Sequence, residues 1–395
     1  MSDTLSQQNT AQSENGKKPL LGGRFDPLAL LLEGRAFLGL IAIIVVFSIL
    51  SPYYFALNNF LVMTSHVAIF GLLGMGMLLV ILTGGIDLSV GSTLGLCGVM
   101  TGFFIHGVDL GFLGVTLYPA MWVVVILVCC VGGLVGLING ILVAYFRVPS
   151  FVATLGALYA VRGVALLITN GLTYNNLSGK PELGNTGLDW LGFNRLFNIP
   201  MGILIMIAVA IVLIVTLNRT AFGRWLYATG GNARAARLSG VPTRFVTVMV
   251  FVLSGVCAGI AGLVLTSELT SAGPTAGTTY ELTAIATVVI GGAALAGGIG
   301  NIRGTLLGAF VIGFLSDGLV IVGVSNYWQM VFTGVVIVFA VLLNSIDYRG
   351  RRKRRSSGND GGGKPDNDSQ SSTQPSKQDH TPGQGAAETP QKTTG

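Results

Sequence analysis

The run Thr83-Gly84-Gly85-Ile86-Asp87-Leu88-Ser89-Val90-Gly91 sets a carboxylate and a hydroxyl in a glycine-rich interruption between two apolar stretches. Backbone groups freed from a helix in apolar surroundings need partners from protein or water. Two readings follow: a gate or substrate-path element in which Asp87 and Ser89 meet a polar solute, or a turn in which Asp87 caps the next helix. Other polar residues stand in equally apolar company. Asn139 lies within Gly136-Leu137-Ile138-Asn139-Gly140 and Thr154 within Pro149-Ser150-Phe151-Val152-Ala153-Thr154-Leu155-Gly156, while Arg162, Glu281 and Asp317 are ionisable. A charge at membrane depth is costly enough to suggest function; the alternative for each is a helix end. The stretch Arg234-Ala235-Ala236-Arg237-Leu238-Ser239-Gly240 reads as a short helix closed by glycine. It suits docking against another protein, since a topology signal would need only the arginines. His66 and His106 stand apart from any matched Cys, Asp or Glu, so no catalytic constellation is expected.

These residues sit in a chain whose solvent is mostly lipid. Half of it (51%) is hydrophobic and only 10% is charged. No Asp, Glu, Lys or Arg occurs between Arg35 and Asp87, between Asp109 and Arg147, or between Arg195 and Arg219. Roughly 20 apolar residues cross a bilayer, and these runs lack the alternation of a barrel strand. The 57 glycines serve either close helix approach or the interruption of helices beside a cavity. Cys97, Cys129, Cys130 and Cys257 all lie in apolar runs, which reads as small core residues rather than disulfides or a metal site. The basic residues flank hydrophobic spans, so nucleic acid is not an expected partner and membrane lipid is.

Ten spans are predicted, with eight or twelve as the alternative where the short third or eighth segment is re-entrant: Ala36 to Leu50, Leu61 to Leu82, Leu88 to His106, Met121 to Phe146, Phe151 to Thr169, Pro200 to Leu217, Phe245 to Leu265, Glu281 to Gly298, Thr305 to Val322, and Tyr327 to Leu343. Arg219, Arg224, Arg234, Arg237 and Arg244 crowd one loop, and Arg349 to Arg355 follow the last span. Basic short loops face the cytoplasm. Six spans before the Arg-rich loop and four after it then place both termini inside. Residues 1–35 form a polar segment, 36–346 the membrane domain, and 347–395 a basic anchor with a tail too polar to bury a core. Gly358 to Lys364 has phosphate-loop spacing, but Pro365 replaces the Ser or Thr that would hold magnesium. No nucleotide site is expected there. Gly84, Gly85, Leu88 and Gly91 recur in register as Gly291, Gly292, Leu295 and Gly298, either a repeat or two sites of close helix packing.

In order along the chain, Thr83 to Gly91, Gly136 to Gly140, Pro149 to Gly156, Arg162-Gly163, Ala228 to Gly240 and Gly291 to Gly308 resemble the landmarks of ribose, galactose and xylose type permeases of ATP-binding cassette importers, over about residues 36 to 346. The resemblance implies an all-α polytopic membrane protein of about ten helices, like the permease of vitamin B12 importers, in a bacterial cell membrane. It implies a second permease subunit, identical or paralogous, an ATPase that uses ATP and magnesium, and an extracytoplasmic binding protein for a monosaccharide or sugar alcohol. No cofactor is expected on this chain. Arg234, Ala235, Ala236 and Gly240 match the coupling motif, although Arg234 stands where the family has Glu. Asp87, Ser89, Asn139, Thr154, Arg162 and Glu281 are the expected substrate-path residues. In Glu281-Leu282-Thr283, Thr283 replaces a frequent Asp, a departure that bears on substrate choice. The competing reading is an ion-coupled secondary carrier, whose coupling carboxylate Asp87, Glu281 or Asp317 would supply.

The charge pattern makes a topological prediction. Cysteines introduced at Gly231 and Gly184 should react with an impermeant thiol reagent from opposite sides of the membrane, and labelling of both from outside would overturn the assignment.

Overall fold

The structure is a computed structural model and describes residues 35–335, apart from 112, 113, 197 and 326, together with 338. The amino-terminal segment, the Arg349 to Arg355 cluster and the tail lie outside the described residues. Helices dominate: α1 (Arg35–Leu50), α2 (Leu57–Leu82), α3 (Val90–His106), α4 (Met121–Ala144), α5 (Ser150–Thr169), α6 (Leu188–Phe193), α7 (Met201–Arg219), α8 (Ala221–Gly231), α9 (Ala233–Leu238), α10 (Thr243–Leu269), α11 (Tyr280–Ile290) and α12 (Ile302–Ile321). Two small antiparallel ribbons, β1 (Val108–Leu110) with β2 (Val115–Leu117) and β3 (Arg195–Leu196) with β4 (Ile199–Pro200), lie between them.

Among the described residues six helices are long and apolar enough to cross a bilayer: α2, α4, α5, α7, α10 and α12. Three shorter apolar helices, at Ala36–Leu50, Val90–His106 and Tyr280–Ile290, stand where three further spans were predicted. The tenth predicted span is helical over 327–335 and otherwise lies outside the described residues except at 338. The eighth differs from its prediction. Helix α11 stops at Ile290, and 291–301 is irregular chain. Gly292, Gly297, Gly298 and Gly300 there have φ of 87°, 89°, 74° and 155°, values that glycine takes without the steric cost of a Cβ. Hydropathy counted these residues into a span because Ala, Leu and Gly are apolar, while their backbone is not helical.

Helix α2 is the axis of the fold. Every residue from Gly71 to Leu82 is buried, because α7, α10, α11 and α12 all pack around it. Lipid tails are as apolar as leucine, so burial alone does not hold membrane helices together; close van der Waals packing between small residues does. Gly132, Gly136 and Gly140, each one turn apart on α4, lie against α10. A Cβ on Gly132 would run into the Gly255 carbonyl, one on Gly136 into the Phe251 carbonyl, and one on Gly140 would lie 2.8 Å from Val248 Cα. The same device joins α12 to α11, where Gly304 and Gly308 face the carbonyls of Gly291 and Thr287.

Connections segregate to two ends. At one end, 83–89, 145–149, 220–242 and 291–301 gather around the Arg-rich segment. At the other, Tyr174 and Ala272 exchange backbone hydrogen bonds of 3.0 and 2.8 Å, Asn185 Nδ2 donates to the Ile105 carbonyl at 2.8 Å, and Ser267 Oγ donates to Leu188 at 2.5 Å.

The α4–α10 contact makes a prediction. Gly136→Val should lower the melting midpoint of the detergent-solubilised chain, since overpacking costs about 1–3 kcal/mol. Gly163→Ala, with nothing within 4 Å of the added Cβ, should leave it unchanged; equal effects would contradict this packing.

Candidate functional site

The interruption at 83–89 closes on itself. Asp87 Oδ1 accepts from the Ser89 amide at 3.0 Å and from Ser89 Oγ at 2.6 Å. Its Oδ2 accepts from Ser254 Oγ of α10 at 3.0 Å. Asn139 of α4 donates Nδ2 to Ser89 Oγ at 2.9 Å. Ser150 Oγ, at the start of α5, accepts the Ile86 amide at 3.2 Å, and Thr154 Oγ1 donates to the Ile86 carbonyl at 3.1 Å. Asp87, Ser89, Ser254, Asn139 and Thr154 are all essentially without exposure. The structure thus brings four expected path residues, Asp87, Ser89, Asn139 and Thr154, into one sealed network. Asp87 caps the turn into α3, the side chains of α5 satisfy the interrupted backbone at Ile86, and those of α4 and α10 bond the side chains of Ser89 and Asp87.

The other two expected path residues meet α3 one turn apart. A Cβ on Gly91 would touch the Glu281 carboxylate, and one on Gly95 would lie 2.7 Å from the Arg162 guanidinium. Arg162 donates to the carbonyls of Pro274 and Ala276 at 2.7 and 2.6 Å, tying α5 to the chain that enters α11. Two glycines in register on α3 are what lets these charges come so close. Glu281 Oε2 is buried without a hydrogen bond.

A third polar group lies near the opposite end of α2 and includes a residue that sequence reasoning set aside. His66 Nδ1 meets Asp317 Oδ1 of α12 at 2.8 Å; because a carboxylate only accepts, Nδ1 carries the proton. His66 therefore has the acidic partner that its sequence neighbourhood did not offer. The pair lines a cavity of about 540 Å³ with Tyr280, Thr283, Ser316 and Thr333. His66 also borders a second cavity of about 310 Å³ that contains Glu268 and Arg195. None of the six expected path residues lines either cavity. His66 was findable in principle, as the one histidine in the uncharged run from 36 to 86. No spacing rule could have supplied Asp317, 251 residues away.

The Arg-rich segment folds as anticipated into a short helix. Asn232 caps α9 by accepting from the amides of Arg234 and Ala235 at 3.1 and 3.0 Å. Arg234, Ala235, Arg237 and Gly240 are exposed, Leu238 is 84% exposed, and Ala236 is 5% exposed. Ala236 thus faces inward, and the free surface is formed by its neighbours. Two of the four cysteines, Cys97 and Cys257, are buried as expected of core residues, whereas Cys130 is exposed.

The family described as branched-chain amino acid transport system / permease component matches residues 59–341. The chain is 40% identical to the ribose import permease protein of Escherichia coli (strain K12) over 324 residues, 82% of this chain and 97% of that one. It is 36% identical to the D-allose transport system permease protein of the same organism over 308 residues, 77% of this chain and 89% of that one. With its galactose/methyl galactoside import permease protein the identity is 32% over 329 residues, covering 81% and 96%. No solved structure matches the chain.

The Asp87 network predicts a graded loss of stability. Asp87→Ala strands the hydroxyls of Ser89 and Ser254, and each unsatisfied buried group costs about 1–3 kcal/mol. Ser254→Ala removes one donor only. Melting midpoints should therefore fall in the order parent, Ser254→Ala, Asp87→Ala, and an unchanged midpoint for Asp87→Ala would refute the network.

Proposed function

We propose, from the premise that this chain belongs to the branched-chain amino acid transport system / permease component family, that it is the multi-pass membrane permease subunit of an ATP-driven monosaccharide importer. The observation that carries the reading is its similarity, over nearly their whole length, to import permeases for ribose, D-allose and galactose. The ion-coupled carrier reading is dropped, because these relatives are transport components of another kind and Asp87 is already saturated by Ser89 and Ser254. The permease performs no chemistry of its own. ATP and magnesium belong to a partner ATPase, a binding protein delivers the sugar, and a second permease subunit, identical or paralogous, completes the path.

In this reading both termini and the Arg-rich end are cytoplasmic, and the arrangement is the ten-span one of vitamin B12 importer permeases. The exposed face of α9, with Arg234, Ala235, Arg237, Leu238 and Gly240, docks on the ATPase. Support comes from the 84% exposure of Leu238, an apolar knob on a helix otherwise rich in arginine. Asp87, Ser89, Asn139 and Thr154 shape and hold the interruption beside the path, and Arg162 and Glu281 hold the α3–α11 seam.

Leu238→Asp and Ala235→Trp test the docking surface, since both side chains point away from the fold, whereas a bulky group at buried Ala236 would disturb the helix itself. In vesicles containing the ATPase and binding protein, each should reduce sugar-stimulated ATP hydrolysis and uptake of D-ribose, D-allose or D-galactose about tenfold or more, the effect of losing an interface anchor. Permease abundance and melting midpoint should stay unchanged. Normal uptake by both variants would remove α9 from the coupling interface, and sugar accumulation by the permease without an ATPase would overturn the importer reading.

A further inference from the structure

The cavity beside His66 and Asp317 has no place in the sealed network or in the docking surface, yet it is the larger of the two cavities that His66 borders. Its volume of about 540 Å³ falls in the range of about 300–1,000 Å³ occupied by small-molecule sites. Its walls come from α2 (His66, Phe70), α11 (Tyr280, Thr283), α12 (Ser316, Asp317) and the helical segment 327–335 (Thr333). Ionisable side chains within membrane helices face the protein interior or a water-filled space, so a histidine, a carboxylate and five hydroxyl-bearing side chains around one hollow mark it as a place for water or a polar solute.

The chemistry of the walls selects among solutes. Asp317 uses Oδ1 for His66, while Oδ2 is buried without any hydrogen bond. That oxygen is an acceptor in search of a donor. The His66 side chain is 43% exposed and the Asp317 side chain 13%, so the pair reaches the hollow from one side. Phe70 and Tyr280 stand edge to face there, with ring centroids 5.3 Å apart, and present aromatic surface from the α2–α11 side. Thr283 Oγ1 has only a 3.5 Å contact to the Thr279 carbonyl, which leaves the hydroxyl free to turn. A carboxylate acceptor, rotatable hydroxyls and an aromatic face suit a ring that is hydroxylated at its edge and apolar on its face. An amino acid would bring an ammonium and a carboxylate, and the cavity offers one anion with no lysine or arginine to balance the second charge.

We propose that this cavity is a monosaccharide-binding site built into the permease itself, in which Asp317, held by His66, accepts from hydroxyls of the sugar while Thr283 and Ser316 complete its edge. The site rests on the importer reading above and deepens it. Its affinity is weak, on the order of millimolar, because a site on a translocation path must release what it binds.

The test is saturation-transfer difference NMR with D-ribose on the full-length permease in lipid nanodiscs, without ATPase or binding protein. The parent should give a saturable signal. Asp317→Asn should weaken binding about tenfold, the effect of losing a hydrogen bond to a charged group, and Thr283→Val should weaken it less. Gly163→Ala, outside the cavity and with open space for the added methyl, should bind as the parent does. Should Asp317→Asn fold poorly, Thr283→Val and Ser316→Ala carry the same comparison. No saturable signal from the parent, or a signal unaffected by all three cavity variants, overturns the site. Uptake by the unmodified complex with ATPase and binding protein decides the importer reading separately: cavity-dependent binding with no uptake of any sugar retains the site and rejects that reading.

Discussion

A backbone amide or carbonyl that leaves a helix inside a membrane must find a partner within the protein, and this fold is organised by that requirement at two places. The interruptions at 83–89 and 291–301 lie at the same end of the bundle and satisfy one another. The Gly298 amide donates to the Leu82 carbonyl at 2.9 Å. Gly297 approaches Gly84 so closely that a Cβ on it would lie 2.9 Å from the Gly84 amide. Tyr227 of α8 donates its hydroxyl to the Gly300 carbonyl at 2.8 Å, and burial pushes that phenol's pKa up, so it stays a donor at any physiological pH. The glycine correspondence between Gly84-Gly85 and Gly291-Gly292 is thus spatial as well as sequential: the matched runs belong to two segments that touch.

The same contact gives the interruptions a mechanical neighbour. A Cβ on Gly230, at the end of α8, would run into the Leu82 carbonyl and lie 2.7 Å from the Gly298 amide. Helix α9 follows after one capping residue, Asn232. Any displacement of α9 is therefore delivered, through glycine backbone and without flexible side chains between, to the junction of α2, α3, α11 and α12. Interfaces packed this closely shift between discrete arrangements rather than deform gradually. The coupling role proposed for α9 thus rests on more than exposure, because the helix that would present the docking face is continuous with the chain that locks the two breaks.

The sequence disclosed those parts of the molecule that lipid dictates. Uncharged runs marked the spans, arginines marked the ends, and the glycines around Asp87 marked an interruption, since each follows from local composition. What it could not disclose were facts of three-dimensional registration. Helix α11 ends eight residues before the apolar run does, because hydropathy does not distinguish a glycine in a helix from one at φ 87°. Ala236 could not be recognised as the inward residue of α9, since a helix of six residues is too short to show a periodic face. Asp87, Ser89, Asn139 and Thr154 were each conspicuous, but local composition did not show that the first three are linked to one another while Thr154 holds the Ile86 carbonyl, or that Asp87 takes a further bond from Ser254, an unremarkable serine in an apolar helix.

The distribution of sealed and open polar groups along α2 carries a last consequence. At its Leu82 end the polar residues are closed off from solvent, with Asp87 at 1% and Asn139 at 0% exposure. Nearer its Leu57 end, His66 borders two cavities, and Asp317 retains an unused carboxylate oxygen. In the orientation proposed above, with the Arg-rich end in the cytoplasm, the closed network would lie inside and the open one outside, the polarity expected of a permease that waits for substrate from its external face. Under the proposed function and orientation, alternating access needs no new binding groups. It needs the glycine-locked junction to loosen while the outer cavity narrows, and α2, α11 and α12 are common to both, so the junction and the cavity are two ends of one set of helices.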